Sequence, residues 1–210
     1  MPTSKTILVL SPHTDDGELG CGATMHRFVE EGHKVISAAF SSCKESLPEG
    51  FAPDTLINEN KEALSVLGLT KESILLFDVQ VRRFEENRQY ILDTLIDLNK
   101  KYQPQIVFTP ATTDIHQDHV VVTTEARRAF KHCSLYGYEL PWNNYHFAGN
   151  VFIKIEEKNL FKKIESLAMY QSQKNRAYMQ EDFIRSLIKV RGLQAGSELA
   201  ECFEMIRYIE

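Results

Sequence analysis

The sequence predicts an α/β fold, a Rossmann-like and mostly parallel sheet with helices on both faces, in a single domain over residues 1–210. Three observations predict it. Short continuous apolar runs alternate with longer amphipathic segments, the pattern of strands that crossover helices bury on both faces. Of the 210 residues, 43% are hydrophobic, enough for one substantial core. No repeat, low-complexity tract or linker divides the chain.

The first strand is Thr6-Ile7-Leu8-Val9-Leu10, ended by Ser11-Pro12-His13. A helix is expected over residues 18–31, with Gly32 as its stop signal. Residues 34–40 read as the second strand. Residues 41–55 carry Pro48, Gly50 and Pro53 and read as a long loop, a length at which loops are often functional. A helix over 56–67, closed by Gly68, and a short strand over 73–77 follow. Residues 87–102 form an amphipathic helix with Ile91, Leu92, Leu95, Ile96 and Leu98 as its apolar positions. Gln105-Ile106-Val107-Phe108-Thr109 is another buried strand, ended by Pro110, and a helix is expected to begin near His119 and run to about Phe130. Beyond it the pattern predicts strands over 135–139, 151–155 and 203–208 and helices over 159–170 and 178–190.

The net charge of −5 lacks the electropositive footprint of a nucleic-acid binder. The opening MPTSKTILVL lacks the regions of a signal peptide, and no apolar run approaches the roughly 20 residues that span a bilayer. A cytoplasmic protein without a transmembrane segment is expected, with a homo-oligomer left open. Cys21, Cys43, Cys133 and Cys202 form no C-x-x-C pair, so reduced, buried thiols are expected rather than a disulfide framework or a four-cysteine metal site.

Two apolar strands each end in a burst of histidine and aspartate. The first is His13-Thr14-Asp15-Asp16; the second is Asp114-Ile115-His116-Gln117-Asp118-His119. Either burst alone would serve as a helix cap, since aspartate suits a helix N-terminus. Both, however, follow the carboxyl ends of strands, where open α/β sheets gather their functional groups. Two imidazoles and one carboxylate with an open position make a catalytic zinc arrangement, which acidifies water and polarises a carbonyl. Further carboxylates and imidazoles beside it would act as base and acid.

Ser11-Pro12-His13-Thr14-Asp15-Asp16-Gly17-Glu18-Leu19-Gly20-Cys21-Gly22-Ala23 resembles the N-terminal signature of the PIG-L/LmbE-type zinc-dependent N-deacetylases, and Asp114-x-His116-x-Asp118-His119 is similar to the family's second signature. Arg191-Gly192 and Ala200-Glu201-Cys202-Phe203 are similar to its C-terminal pattern. The resemblance implies removal of an N-acetyl group from an N-acetylglucosamine-type sugar or sugar conjugate, a small-molecule partner. It implies His13, Asp16 and His119 as ligands of zinc or another divalent metal, and Asp15 as the general base. His116 would stabilise the oxyanion, oriented by Asp118. Thr14 stands where the family usually has proline, and Gly17-Glu18 replaces a glutamate directly after the aspartate pair, so Glu18 is given no catalytic role. The arginine frequent on the helix after the second strand is absent from Leu56-Ile57-Asn58-Glu59-Asn60-Lys61-Glu62.

Substrate contacts are expected from two segments. Arg82 and Arg83, after the 73–77 strand, offer hydrogen-bonding forks for hydroxyls or an anion, unless they pair with Glu85 and Glu86. Trp142 and Asn143, in Leu140-Pro141-Trp142-Asn143-Asn144-Tyr145-His146, offer an aromatic face and an amide for a sugar, unless Trp142 is tucked into the core. His26, His33, His132 and His146 read as surface or satisfied histidines. Two rivals remain: hydrolysis of another amide, such as a sugar–thiol conjugate, and a non-catalytic α/β sugar- or nucleotide-binding module. Against the second, His13, Asp15, Asp16, His116 and His119 are all present, and no G-x-G-x-x-G follows the first strand.

Overall fold

In the computed structural model, which describes residues 4–210, one sheet of seven strands has the order β3-β2-β1-β4-β5-β7-β6. Strands β1 (Thr6–Ser11), β2 (Lys34–Ala39), β3 (Ile74–Leu76), β4 (Ile106–Pro110) and β5 (Ser134–Tyr138) pair in parallel. Strand β7 (Ala200–Arg207) is antiparallel to both β5 and β6 (Val151–Lys154). At the centre, Val9 of β1 lies between Ser37 of β2 and Phe108 of β4.

Side chains alternate across a strand, so β1 feeds two cores. Ile7 and Val9 join one with residues of α1 (Asp16–Glu30), α2 (Thr55–Val66), α5 (Glu157–Ala168) and α6 (Glu181–Gln194). Leu8 and Leu10 join the other with residues of α3 (Arg88–Tyr102) and α4 (Gln117–Ala129). Burial on both faces is why β1 reads as an unbroken apolar run. Strand order reverses between β1 and β4: β2 and β3 lie on one side of β1, β4 and β5 on the other. The carboxyl ends of β1 and β4 therefore flank the crevice where the sheet changes direction.

Helix α1 starts at Asp16, earlier than the apolar periodicity indicates, and packs tightly on the sheet. A Cβ on Gly17 would lie 2.4 Å from Ser11 Oγ, and one on Gly20 would lie 2.3 Å from the Tyr138 ring. The helix is broken at Cys21 (φ −147°, ψ 23°). A break frees N–H and C=O groups, and buried ones need partners. Glu201 of β7 accepts from Ala23 N (3.3 Å) and Thr24 N (2.7 Å) beyond the break. Lys163 of α5 donates to Leu19 O before it (2.6 Å) and to Glu201 (2.7 Å).

Three other boundaries differ from the sequence expectation. The 41–55 loop contains a 3-10 turn at Lys44–Ser46. Two more 3-10 turns, Gln171–Gln173 and Ala177–Met179, separate α5 from α6, so α6 starts at Glu181. Strand β7 begins at Ala200, because its first residues pair with β6. Among the described residues no helix is long and apolar enough to cross a membrane, and all four cysteines are free and buried.

Candidate metal centre and active site

The two His/Asp loops meet at the β1–β4 crevice. His13 leaves β1 and is locked by Asp16, whose Oδ2 accepts the His13 backbone N–H at 2.8 Å. Three donor atoms then converge. His13 Nδ1 lies 3.1 Å from Asp16 Oδ2 and 3.1 Å from His119 Nε2, which is itself 3.2 Å from Asp16 Oδ2. Tetrahedral ligands about 2.0 Å from a zinc ion are separated by about 3.3 Å, so the triangle has the size of one face of such a site. The donor set, two imidazole nitrogens and a carboxylate oxygen, suits a divalent ion with an open position.

Each of the two imidazoles is held at its far nitrogen by a carboxylate. His13 Nε2 is 3.0 Å from Asp118 Oδ2, and His119 Nδ1 is 2.8 Å from Asp114 Oδ2. Such partners fix the tautomer and aim the ring at a metal. Asp118 therefore reaches His13 with its carboxylate and not His116. His116 caps α4 instead, its Nδ1 accepting from Asp118 N at 3.2 Å, while Asp114 Oδ1 accepts its backbone N–H at 2.8 Å. The His116 ring stacks on His119 with centroids 4.5 Å apart. His116 also offers a ligand atom within 4.8 Å of those of His13 and His119, so it borders the triangle.

Buried charge tunes these groups. Burial disfavours the His119 cation, but Asp16 and Asp114 outweigh it and raise its pKa to about 10. For His13 the same balance, with Asp16 and Asp118 opposing burial, gives about 9. Burial likewise works against the Asp16 anion, yet His119 and His13 hold it well below the usual carboxylate range. Asp15, the N-cap residue of α1, goes the other way: burial, then the neighbouring Asp16 charge, raises it to about 6. His116 is lowered by burial and by the two other histidines, which favours its neutral form.

A cavity of about 280 Å³ opens above this cluster, close to the lower end for small-molecule sites. His13, Asp15, Asp16, His116 and His119 line it from below, and Arg82, Trp142 and Asn143 from the side. Trp142 is half-buried: it packs against the edge of the core, stacks on Tyr178 with centroids 4.0 Å apart, and still lines the cavity. Arg83 is not part of the lining. It is exposed and pairs with Glu86, as adjacent opposite charges on a solvated loop do. Arg82 adopts a left-handed backbone (φ 65°), its N–H donating to Asp118 Oδ2 at 2.8 Å and its carbonyl accepting from Gln117 at 3.1 Å.

Four residues of the site have no role assigned from sequence: Asp114, behind His119, and Gln173, Arg176 and Tyr178, which also line the cavity. Asp114 sits within the second burst and was legible as one more carboxylate there. The other three come from the turns between α5 and α6, a segment whose composition carries no signal. It is anchored by Glu59 of α2, whose carboxylate accepts from Ser172 N (2.9 Å) and Ser172 Oγ (2.6 Å).

Comparison with known proteins agrees with this geometry. The deacetylase YaiS of Escherichia coli strain K12, itself uncharacterised, is 29% identical over 174 residues, 80% of this chain and 91% of that protein. The N,N'-diacetylchitobiose deacetylase of Pyrococcus horikoshii has the same fold, with a TM-score of 0.80 and 20% identity over 97% of this chain and 84% of that one. So does the 4-carboxy-2-hydroxymuconate hydratase of Pseudomonas putida, with a TM-score of 0.80 and 19% identity over 98% of each chain. One fold thus carries two reactions, and its likeness does not choose between them. The sequence itself matches the model of the PIG-L family, described as GlcNAc-PI de-N-acetylase, over residues 8–130, and with both His/Asp loops inside that stretch the chain belongs to this deacetylase family.

Proposed function

We propose that the protein is a metal-dependent amide hydrolase that removes the N-acetyl group from an N-acetylglucosamine-type sugar or sugar conjugate. The observation that carries this reading is the triangle of His13 Nδ1, Asp16 Oδ2 and His119 Nε2, with Asp15 on the same cavity floor. These three atoms would hold zinc or another divalent ion. When bound, such an ion polarises the amide carbonyl and acidifies water.

The chain's own groups supply the rest. Asp15, on the cavity beside the cluster, is placed to take the proton of the attacking water and to return it to the departing amine. His116 borders the cluster and would face the oxygen that becomes negative as the carbonyl carbon turns tetrahedral. Asp118 and Asp114 keep the two ligand imidazoles in one tautomer and orientation. The net result is a broken C–N bond, with acetate and a free sugar amine as products. Trp142 and Tyr178 provide the apolar wall against which a sugar ring packs.

The test is acetate release from a panel of N-acetylated sugars by metal-stripped protein and by the same protein after zinc is restored. Activity is expected only after restoration. Acetate release unchanged by complete metal removal would overturn the reading.

A further inference from the structure

Asp16, Asp114 and Asp118 each have an imidazole against their oxygens. Asp15 differs. Its carboxylate makes no capping bond to α1 and, among the described residues, takes no hydrogen bond from another side chain. Its aim is therefore set by the backbone that carries it, and that backbone is held on both sides. Asp15 O accepts from Leu19 N in the first turn of α1 at 3.0 Å. On the other side, Thr14 O accepts from Asn60 Nδ2 of α2 at 2.7 Å and lies 2.6 Å from Tyr170 Oη, just past α5. A peptide unit is planar, so holding Thr14 O also orients the N–Cα bond of Asp15. Thr14, Asn60 and Tyr170 are each 1% exposed, and neither Asn60 nor Tyr170 lines the cavity. Glu18 Oε1 lies 2.6 Å from the Tyr170 hydroxyl and 3.2 Å from Asn60 Nδ2, which closes the network. One donor satisfies a buried carbonyl; two from separate segments also fix its direction.

We propose that Asn60 and Tyr170 are positioning residues of the reaction: by gripping Thr14 O they fix the backbone of Asp15 and so aim its carboxylate at the attacking water. This rests on the deacetylase reading, with Asp15 as base, and deepens it. The two residues act through Asp15 and touch no substrate. His13, on the far side of Thr14, is held separately by Asp16 at its backbone N–H and by Asp118 at its ring, so a loosened clamp spares the metal ligands. Misplacing a reacting group by about 1 Å can cost about 10²-fold in rate.

The test is a double-mutant cycle on the zinc-loaded full chain, read as acetate release from N-acetylglucosamine and from N,N'-diacetylchitobiose. Tyr170→Phe keeps the ring and removes only the hydroxyl. It is expected to lower kcat about tenfold, with KM and zinc affinity, the latter by chelator competition, within about twofold of the parent. In the Asp15→Asn background the same change should cost less than about twofold, because no base remains to be aimed. Asn60→Ala should follow the same pattern. Ser166→Ala removes a different buried bond between α5 and α2, from Ser166 Oγ to Ala63 O at 2.8 Å, and should leave kcat unchanged. Three results would overturn the proposal: an unchanged kcat in Tyr170→Phe, a loss that recurs in full beside Asp15→Asn, or zinc affinity that falls in step with kcat. The last two mark a general loosening of the site rather than a misaimed base. No acetate from either sugar with the parent chain counts against the deacetylase reading and takes this proposal with it. Release by the parent with an uncoupled Tyr170 sinks this proposal alone.

Discussion

Asp114 Oδ2 lies 2.8 Å from His119 Nδ1, which leaves Nε2 as the nitrogen facing His13 and Asp16. The carboxylate thus decides which imidazole nitrogen carries the proton and which presents a lone pair. Its other oxygen holds the backbone of His116. Asp114→Ala is expected to lower zinc affinity by roughly 10–100-fold, measured by competition with a chromophoric chelator. Unaltered affinity would mean that packing alone aims His119.

Asp15 and Asp16 are neighbours in sequence with opposite environments. Asp16 faces two imidazoles and is held ionised, whereas burial and the Asp16 charge raise Asp15 to about 6. Adjacent carboxylates pushed apart in this way divide into a ligand and a proton carrier. Asp15→Asn should therefore retain bound zinc while losing turnover by about 10²–10⁴-fold. Loss of zinc along with turnover would place Asp15 among the ligands, and near-normal turnover would remove it as the base.

Local pattern made the parallel core legible. Leu8, Val9 and Leu10 are all buried because helices cover both faces of β1, and that condition writes itself into sequence as a continuous apolar run. The His/Asp bursts were legible for a similar reason, since each follows directly on such a strand. Helix boundaries were less so. Asp16 and Gly17 interrupt the apolar periodicity, yet they begin α1 because Gly17 must pass within touching distance of Ser11. Orientation partners depend on three-dimensional reach: Asp118, two residues from His116, meets that ring through its backbone N–H, while its carboxylate bonds His13, 105 positions away. The Arg176 wall was invisible, because what places it is the contact between Glu59 and Ser172, which no local pattern records.

The break in α1 depends on a buried ion pair. Lys163 and Glu201 are 3% and 4% exposed, and between them they satisfy Leu19 O, Ala23 N and Thr24 N. Removing one partner of a buried pair leaves the other charge uncompensated, at about 3–5 kcal/mol. Lys163→Met leaves Glu201 with its two backbone donors. Glu201→Leu strands both a buried ammonium and those donors, so it is expected to be the more destabilising change. Urea unfolding midpoints rank the two. Midpoints for both variants equal to that of the parent chain would show that α1 does not rely on this pair.

Glu18 provides a pH signature distinct from the chemistry. It is fully buried, and its Oε1 accepts from Tyr170 Oη at 2.6 Å and from Asn60 Nδ2 at 3.2 Å, while Oε2 has no hydrogen-bond partner. Burial raises its pKa from 4.5 to about 8, against the opposing effect of the Tyr170 bond. The folded chain therefore holds the proton more tightly than the unfolded chain does. By linkage, the contribution of Glu18 to stability is fully present below pH 4.5 and is lost as the pH rises towards about 8. Glu18→Gln stays neutral throughout and shares every other titrating group, so the difference between the two chains isolates this residue. The variant is expected to gain on the parent steadily between about pH 5 and about pH 8, as read from urea midpoints at each pH. Parallel stability profiles would show that Glu18 ionises alike in the folded and unfolded chains.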